Sequence, residues 1–219
     1  MKKNNLLLIS FLIFLSALCN MTAQTIRGKV VNDADLTLAD VRIYLDGTQT
    51  GTVSAADGSF TLDLTGKSPA NLVFRKEDYE TLITPAPGAL NKTLKVVLLK
   101  SNDIEEVRLV PYTEEAYRNY ITYFLDQFIG TDHEHVRIKN QRTLKFAYDK
   151  TNKTLTVKAP QTLLIENKNL GYEIAYTIVD FFADFNTRMV RNTGTSFFRK
   201  TKDTDRIKLN RRNAYDGSL

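Results

Sequence analysis

The residues that could do chemistry are few, and the most suggestive sit together in Asp132-His133-Glu134-His135. His133 and His135 are the chain's two histidines, and on an extended strand alternate residues face the same way, so the pair are weak candidates for a metal with Asp132 or Glu134 beside them. A hydrolytic zinc site needs more: a His and a Glu on one helical turn, a second distant His and a carboxylate to act as base. Three residues beyond each histidine stand Val136 and Ile138, so that site fails on its residues. The bland reading of His133 and His135, a solvated loop between a helix and a strand, is the expected one, and no metal or cofactor is expected. No Gly-x-Ser-x-Gly elbow, phosphate loop or dinucleotide fingerprint is present. The aromatic set Tyr172, Tyr176, Phe181, Phe182 and Phe185 could stack a sugar, but its place in an alternating apolar run predicts core. No catalytic residue is assigned, and the chain is read as not an enzyme.

Behind these residues stand the elements that must carry them. Residues 1–23 read as a signal peptide, with Lys2 and Lys3 before an apolar run too short to span a bilayer and Ala23 at the cleavage position. A lipoprotein signal using Cys19 is the alternative. Cys19 is the single cysteine, so the mature chain forms no disulfide and depends on hydrophobic cores. Residues 24–110 carry 10 Lys and Arg against 12 Asp and Glu, and residues 111–219 carry 18 against 13, the excess falling in 188–212. Export makes nucleic acid an unexpected partner, and a solvated basic face is the default reading of that excess.

From residue 25 the chain reads as short strands separated by turns: 25–31, 41–45, 59–64, 72–75, 79–84 and 93–99, with a brief strand between Gly47 and Gly51 and the Asp57-Gly58 pair, itself a hairpin signal. About seven strands in about 75 residues predict a small antiparallel sandwich. The motif residues Gly28, Gly47, Thr48, Gly51, Thr52, Asp57, Gly58 and Phe60, with Ile26, Val30, Ser54 and Tyr79, resemble the carboxypeptidase-regulatory-like domain. The resemblance implies a prealbumin-like sandwich over residues 24–100. The matching positions are turn and core residues, so it says little of activity. Where that family often has an aromatic-Gly-Tyr arrangement, this chain has Lys76-Glu77-Asp78 before Tyr79.

Residues 101–112 read as a linker, similar to the connector that follows this domain in outer-membrane receptors. Beyond it, residues 113–219 predict an α+β region with an antiparallel sheet and one or two helices. Thr113 caps a helix over 113–129 whose stripe is Ala116, Tyr120, Tyr123/Phe124, Gln127 and Phe128, and Gly130 stops it. A hairpin over 143–159 and strands at 163–167, 170–185 and 194–199 follow, then a basic helix over 203–214. Through Asn140, Leu144, Phe146 and Tyr148-Asp149, then Ile165-Glu166-Asn167, Leu170-Gly171-Tyr172 and Arg211-Arg212, this half resembles the region after the same sandwich in uncharacterised exported bacterial envelope proteins, in which the chain usually runs on past Gly217-Ser218. That likeness implies a truncated copy and a last helix without a packing partner. The expected whole is a mainly β, non-catalytic, exported envelope protein, periplasmic, outer-membrane-associated or secreted. Its expected partner is another envelope protein or a surface glycan, with peripheral contact to the outer membrane. A truncated component of an outer-membrane receptor or assembly protein is the alternative, and a hydrolase accessory subunit a weaker one.

Overall fold

The computed structural model describes residues 24–66, 70–86, 93–101 and 110–216, so the expected signal peptide, most of the linker and Gly217–Leu219 lie outside the described residues. The chain is mainly β: a two-sheet sandwich followed by an α+β region.

The sandwich is built from β1 (Thr25–Asn32), β2 (Arg42–Leu45), β3 (Gly51–Val53), β4 (Ser59–Asp63), β5 (Asn71–Arg75), β6 (Leu82–Pro85) and β7 (Thr93–Leu98). One sheet has the order β4-β1-β7 and the other β3-β2-β5-β6. Strict alternation puts Phe60 and Leu62 inward on β4 and Ile43 and Leu45 inward on β2, and they meet Ile26, Val30, Leu72 and Phe74 in one core. Phe60 and Phe74 cross edge to face at 5.5 Å.

Three details depart from the sequence reading. The sandwich is antiparallel except at one pairing, since β7 runs parallel to β1. A chain leaving β6 in one sheet and entering β7 in the other makes a crossover, and a crossover leaves strand direction free in a way that a tight hairpin does not. Asp57-Gly58 makes the tight turn but no hairpin, because β3 pairs with β2 and β4 with β1. The turn is a corner at which the chain changes sheets. Tyr79 lies outside β6, in an isolated bridge with Lys100, and packs against the sandwich core.

The second region begins with α1 (Glu114–Ile129). The Thr113 side chain accepts from the Ala116 amide, Glu114 and Glu115 occupy the first turn, and Gly130 ends the helix at φ 79°. There follow β8 (Val136–Ile138), β9 (Lys145–Asp149), β10 (Thr154–Lys158), β11 (Leu163–Asn167), β12 (Tyr172–Asp184), β13 (Met189–Lys200) and α2 (Asp205–Asp216). The strands make one sheet, β8-β11-β12-β10-β9, with β13 on the other side of β12.

Helix α1 lies on one face of that sheet. Phe124, fully buried, meets Phe146 and Phe181 edge to face, Tyr117 meets Phe146, and Phe128 meets Tyr176. The observed stripe includes Tyr117, which the sequence reading omits, and excludes Gln127, which is exposed. A register shift between Ile178 and Asp180 inserts one residue into β12. Ile174, Tyr176 and Ile178 before the shift and Phe181, Ala183 and Phe185 after it therefore all join the helix-side core.

Helix α2 has a packing partner, contrary to expectation. Ile207 is buried against Gly171, and the Arg211 guanidinium sits 4.4 Å over the Tyr172 ring while donating to the carbonyls of Leu170, Gly171 and Lys202. No described helix is long and apolar enough to cross a membrane.

Candidate functional site: a cleft at the seam of the two regions

The sandwich's second sheet has an outer face as well as a core face. On β2 that face carries Arg42 and Tyr44, and their cross-strand neighbours are Val53 and Gly51 on β3 and Arg75 and Val73 on β5. Tyr44 and Val73 are buried although neither belongs to the sandwich core. What buries Tyr44 is the second region, on the face of its sheet opposite α1.

Two sets of contacts make the seam. The first is backbone pairing: the β2–β3 loop docks on β13, with the Gly47 amide donating to the Ser196 carbonyl at 2.8 Å and the Phe198 amide donating to the Thr48 carbonyl at 2.8 Å. The Asp46 carboxylate accepts from the Ser196 amide at 2.6 Å. The second is side-chain contact: Tyr44 meets the Phe197 ring edge to face at 5.5 Å, and its hydroxyl lies 3.1 Å from Thr195 Oγ1. Gly51 lets that ring in, since a Cβ there would stand 3.1 Å from Phe197 Cε2 and from Tyr44 Cβ.

Beside these contacts the two sheets leave a cleft of about 270 Å³. Its sandwich wall is Arg42, Tyr44, Val53 and Arg75, with Ile43, Gly51 and Thr52 behind them. Its other wall is Thr162, Ala175, Thr177 and Phe197. Thr177 is 9% exposed and its hydroxyl has no hydrogen-bond partner among the described residues, an orphaned polar atom of the kind interiors seldom keep. Its cross-strand neighbour Thr195 is satisfied by Tyr44.

The charge here is one-sided. Arg42 and Arg75 are directly opposite on neighbouring strands, and among the described residues neither has a carboxylate within ion-pair distance. Among the described residues Arg75 donates to the Thr81 hydroxyl, 3.4 Å away. Burial lowers the Arg75 pKa from its ordinary value and the positive charge of Arg42 pushes it the same way, while Tyr44 and the Glu77 carboxylate oppose the shift. The cleft thus concentrates positive charge over an apolar floor.

The sequence-singled residues divide. Thr48 takes part in the seam through its backbone, while its hydroxyl donates to the Leu45 carbonyl. Gly47 turns at φ 72° and pairs with Ser196. Gly51 and Thr52 line the cleft. Gly28, Asp57, Gly58 and Phe60 are remote from it and structural. A Cβ on Gly28 would collide with the Leu94 carbonyl and the Phe60 ring, Asp57 caps the Ser59 amide at 2.9 Å, and Gly58 turns at φ 77°. Hydrogen bonding from Ser59 holds the Asp57 carboxyl below its ordinary value.

His133 and His135 lie in a turn between the helix and β8, so they lack the shared strand face that the weaker metal reading needs. Each has its own carboxylate: His133 Nε2 is 2.8 Å from Asp126 and His135 Nδ1 is 2.8 Å from Asp132. Hydrogen bonding from His135 depresses the Asp132 carboxyl. Among the described residues no three His, Cys, Asp or Glu side chains gather as a metal site. The aromatic set also splits. Phe181 is wholly buried and Tyr176 and Phe185 join the same core, whereas Phe182 lies under the Arg191 guanidinium and Tyr172 under that of Arg211.

The sequence reading missed Arg42, Arg75, Thr177, Thr195 and Phe197. A signal was present in the charged residues placed on short apolar strands, in Val41-Arg42-Ile43 and Phe74-Arg75, but only the β2–β5 register puts the two arginines side by side. A scan of protein-family models gives no match to this chain, and a search of curated proteins gives none either.

Proposed function

We propose that this chain is an exported, non-catalytic cell-envelope protein in which a carboxypeptidase-regulatory-like sandwich is fixed to an α+β region to form a binding or scaffold module. The observation that supports this most is the make-up of the seam cleft. Its walls offer guanidinium, hydroxyl and apolar groups, and among the described residues they include no carboxylate, imidazole or thiol. Such a set can hold and orient a ligand, but it lacks the nucleophile and base pairing that acyl or glycosyl transfer requires. The apolar run of residues 1–23 supports export. The fitting partner is another envelope protein or a surface glycan.

The test has two arms. Cell fractionation of the tagged full chain should recover it outside the cytoplasm, shortened at its N-terminus. Purified protein incubated with peptide, ester and glycoside panels should release no product. Retention in the cytoplasm overturns the export reading. Turnover that disappears on substitution of a cleft residue overturns the non-catalytic one.

A further inference from the structure

The seam cleft carries a ligand class. Three independent observations converge on it: two neighbouring guanidinium groups and a buried Thr177 hydroxyl, which among the described residues lack a carboxylate and a hydrogen-bond partner respectively, and an apolar floor from Phe197, Ala175 and Val53. A cation pair held in a partly dry cleft calls for an anion, and a planar carboxylate matches the guanidinium fork. The apolar floor calls for a hydrocarbon or aromatic body next to that acid. At about 270 Å³ the cleft is at the small end of ligand sites, which suits one small acid or one terminal residue.

We propose that the cleft between the sandwich and the α+β region binds a carboxylate attached to a small apolar body, the acid held by Arg42 and Arg75 and the body lying against Phe197. Thr177 supplies a neutral hydroxyl contact to the bound molecule. This rests on the reading of the cleft as a binding site, and it adds the chemistry of what is bound. The carboxylate could belong to a free organic acid or to the C-terminal residue of a peptide.

Calorimetric titration of the full mature chain separates these possibilities. The probes are phenylacetate and hexanoate, their neutral amides, and acetyl-Ala-Phe as free acid and as amide. One-to-one binding of at least one acid is expected, with the matching amide at least tenfold weaker. Arg75→Gln should weaken the acid by about tenfold to a hundredfold, as loss of a charged hydrogen bond does, while Arg75→Lys retains part of it. Arg42 is exposed, so Arg42→Gln leaves the fold intact and tests the same point independently. Thr177→Val should weaken binding several-fold. Tighter binding of the peptide acid assigns the carboxylate to a chain terminus, and tighter binding of phenylacetate or hexanoate assigns it to a free acid. Equal binding of acids and amides, unchanged affinity in both arginine variants, or no binding by folded protein overturns the proposal. Binding without turnover leaves the non-catalytic reading standing, and turnover of a bound acid would sink that reading alone.

Discussion

The contact between Tyr44 and Thr195 joins residues 151 positions apart and is open to a direct energetic test. Both side chains are nearly sealed, Tyr44 at 6% and Thr195 at 2% exposure, and each hydroxyl answers the other at 3.1 Å. Tyr44→Phe leaves the ring against Phe197 but strands the Thr195 hydroxyl. Thr195→Val keeps the shape and strands the tyrosine. An unpaired buried hydroxyl costs about 1–3 kcal/mol, whereas replacing both partners with apolar groups of similar shape is close to neutral. The two single variants should therefore each lose about 1–3 kcal/mol, and the double variant, close to neutral, should fall short of their sum by about 2 kcal/mol or more. For a chain of this size each kcal/mol corresponds to roughly 2–4 °C in Tm. Urea titration, read together with calorimetric melting, measures all four proteins. Losses that add to within about 0.5 kcal/mol would show that the hydroxyls do not meet, and the seam as described would be wrong.

Other consequences are as testable. Gly28→Ala places a methyl against the Leu94 carbonyl and the Phe60 ring, so a loss of about 1–3 kcal/mol is expected in urea unfolding. Glu173 accepts from Lys139 and Arg199, and these bonds hold its carboxyl below the ordinary 4.5; its contribution is full above about pH 4.5 and is lost as pH falls through the lower folded value. Glu173→Gln should accordingly flatten the acid limb of Tm against pH. Burial, with the Tyr120 hydroxyl donating to Tyr148, pushes the Tyr120 phenol up to about 12, so stability should decline from pH 10 upward, and ultraviolet titration should show a late-ionising tyrosine that Tyr120→Phe removes. Arg211→Ala withdraws the donors to Leu170, Gly171 and Lys202 and should speed amide exchange throughout α2 while leaving α1 unchanged.

Local rules made much of the second region readable. Thr113, its two following acids and Gly130 bracket α1, and the alternating runs at 145–149 and 154–158 pair across a polar turn as expected. In both places the signal lies within a few residues of the structure it specifies. What was not readable depends on pairing at a distance. Asp57-Gly58 turns the chain in the same way whether the next strand joins the same sheet or the facing one, so its turn chemistry cannot reveal the crossing. The inserted residue in β12 carries no glycine or proline to announce it, and only the cores on either side show why alternation must slip there. The cleft is the extreme case. Arg75 and Thr177 are 102 positions apart, and nothing near either hints at the other.

The docking of residues 46–48 on β13 has a further consequence, in the sphere of self-association. Strand β13 is twelve residues long and, among the described strands, pairs with β12 on one side. The amides of Ser196 and Phe198 and the carbonyl of Ser196 would otherwise be open to any passing strand, a standing invitation to intermolecular sheet growth. The sandwich covers this stretch with a turn, which satisfies those groups and offers no continuing strand to the next molecule. Its first service to the second region is therefore protective, and a chain whose sandwich has come away would be expected to add to its own copies at that margin.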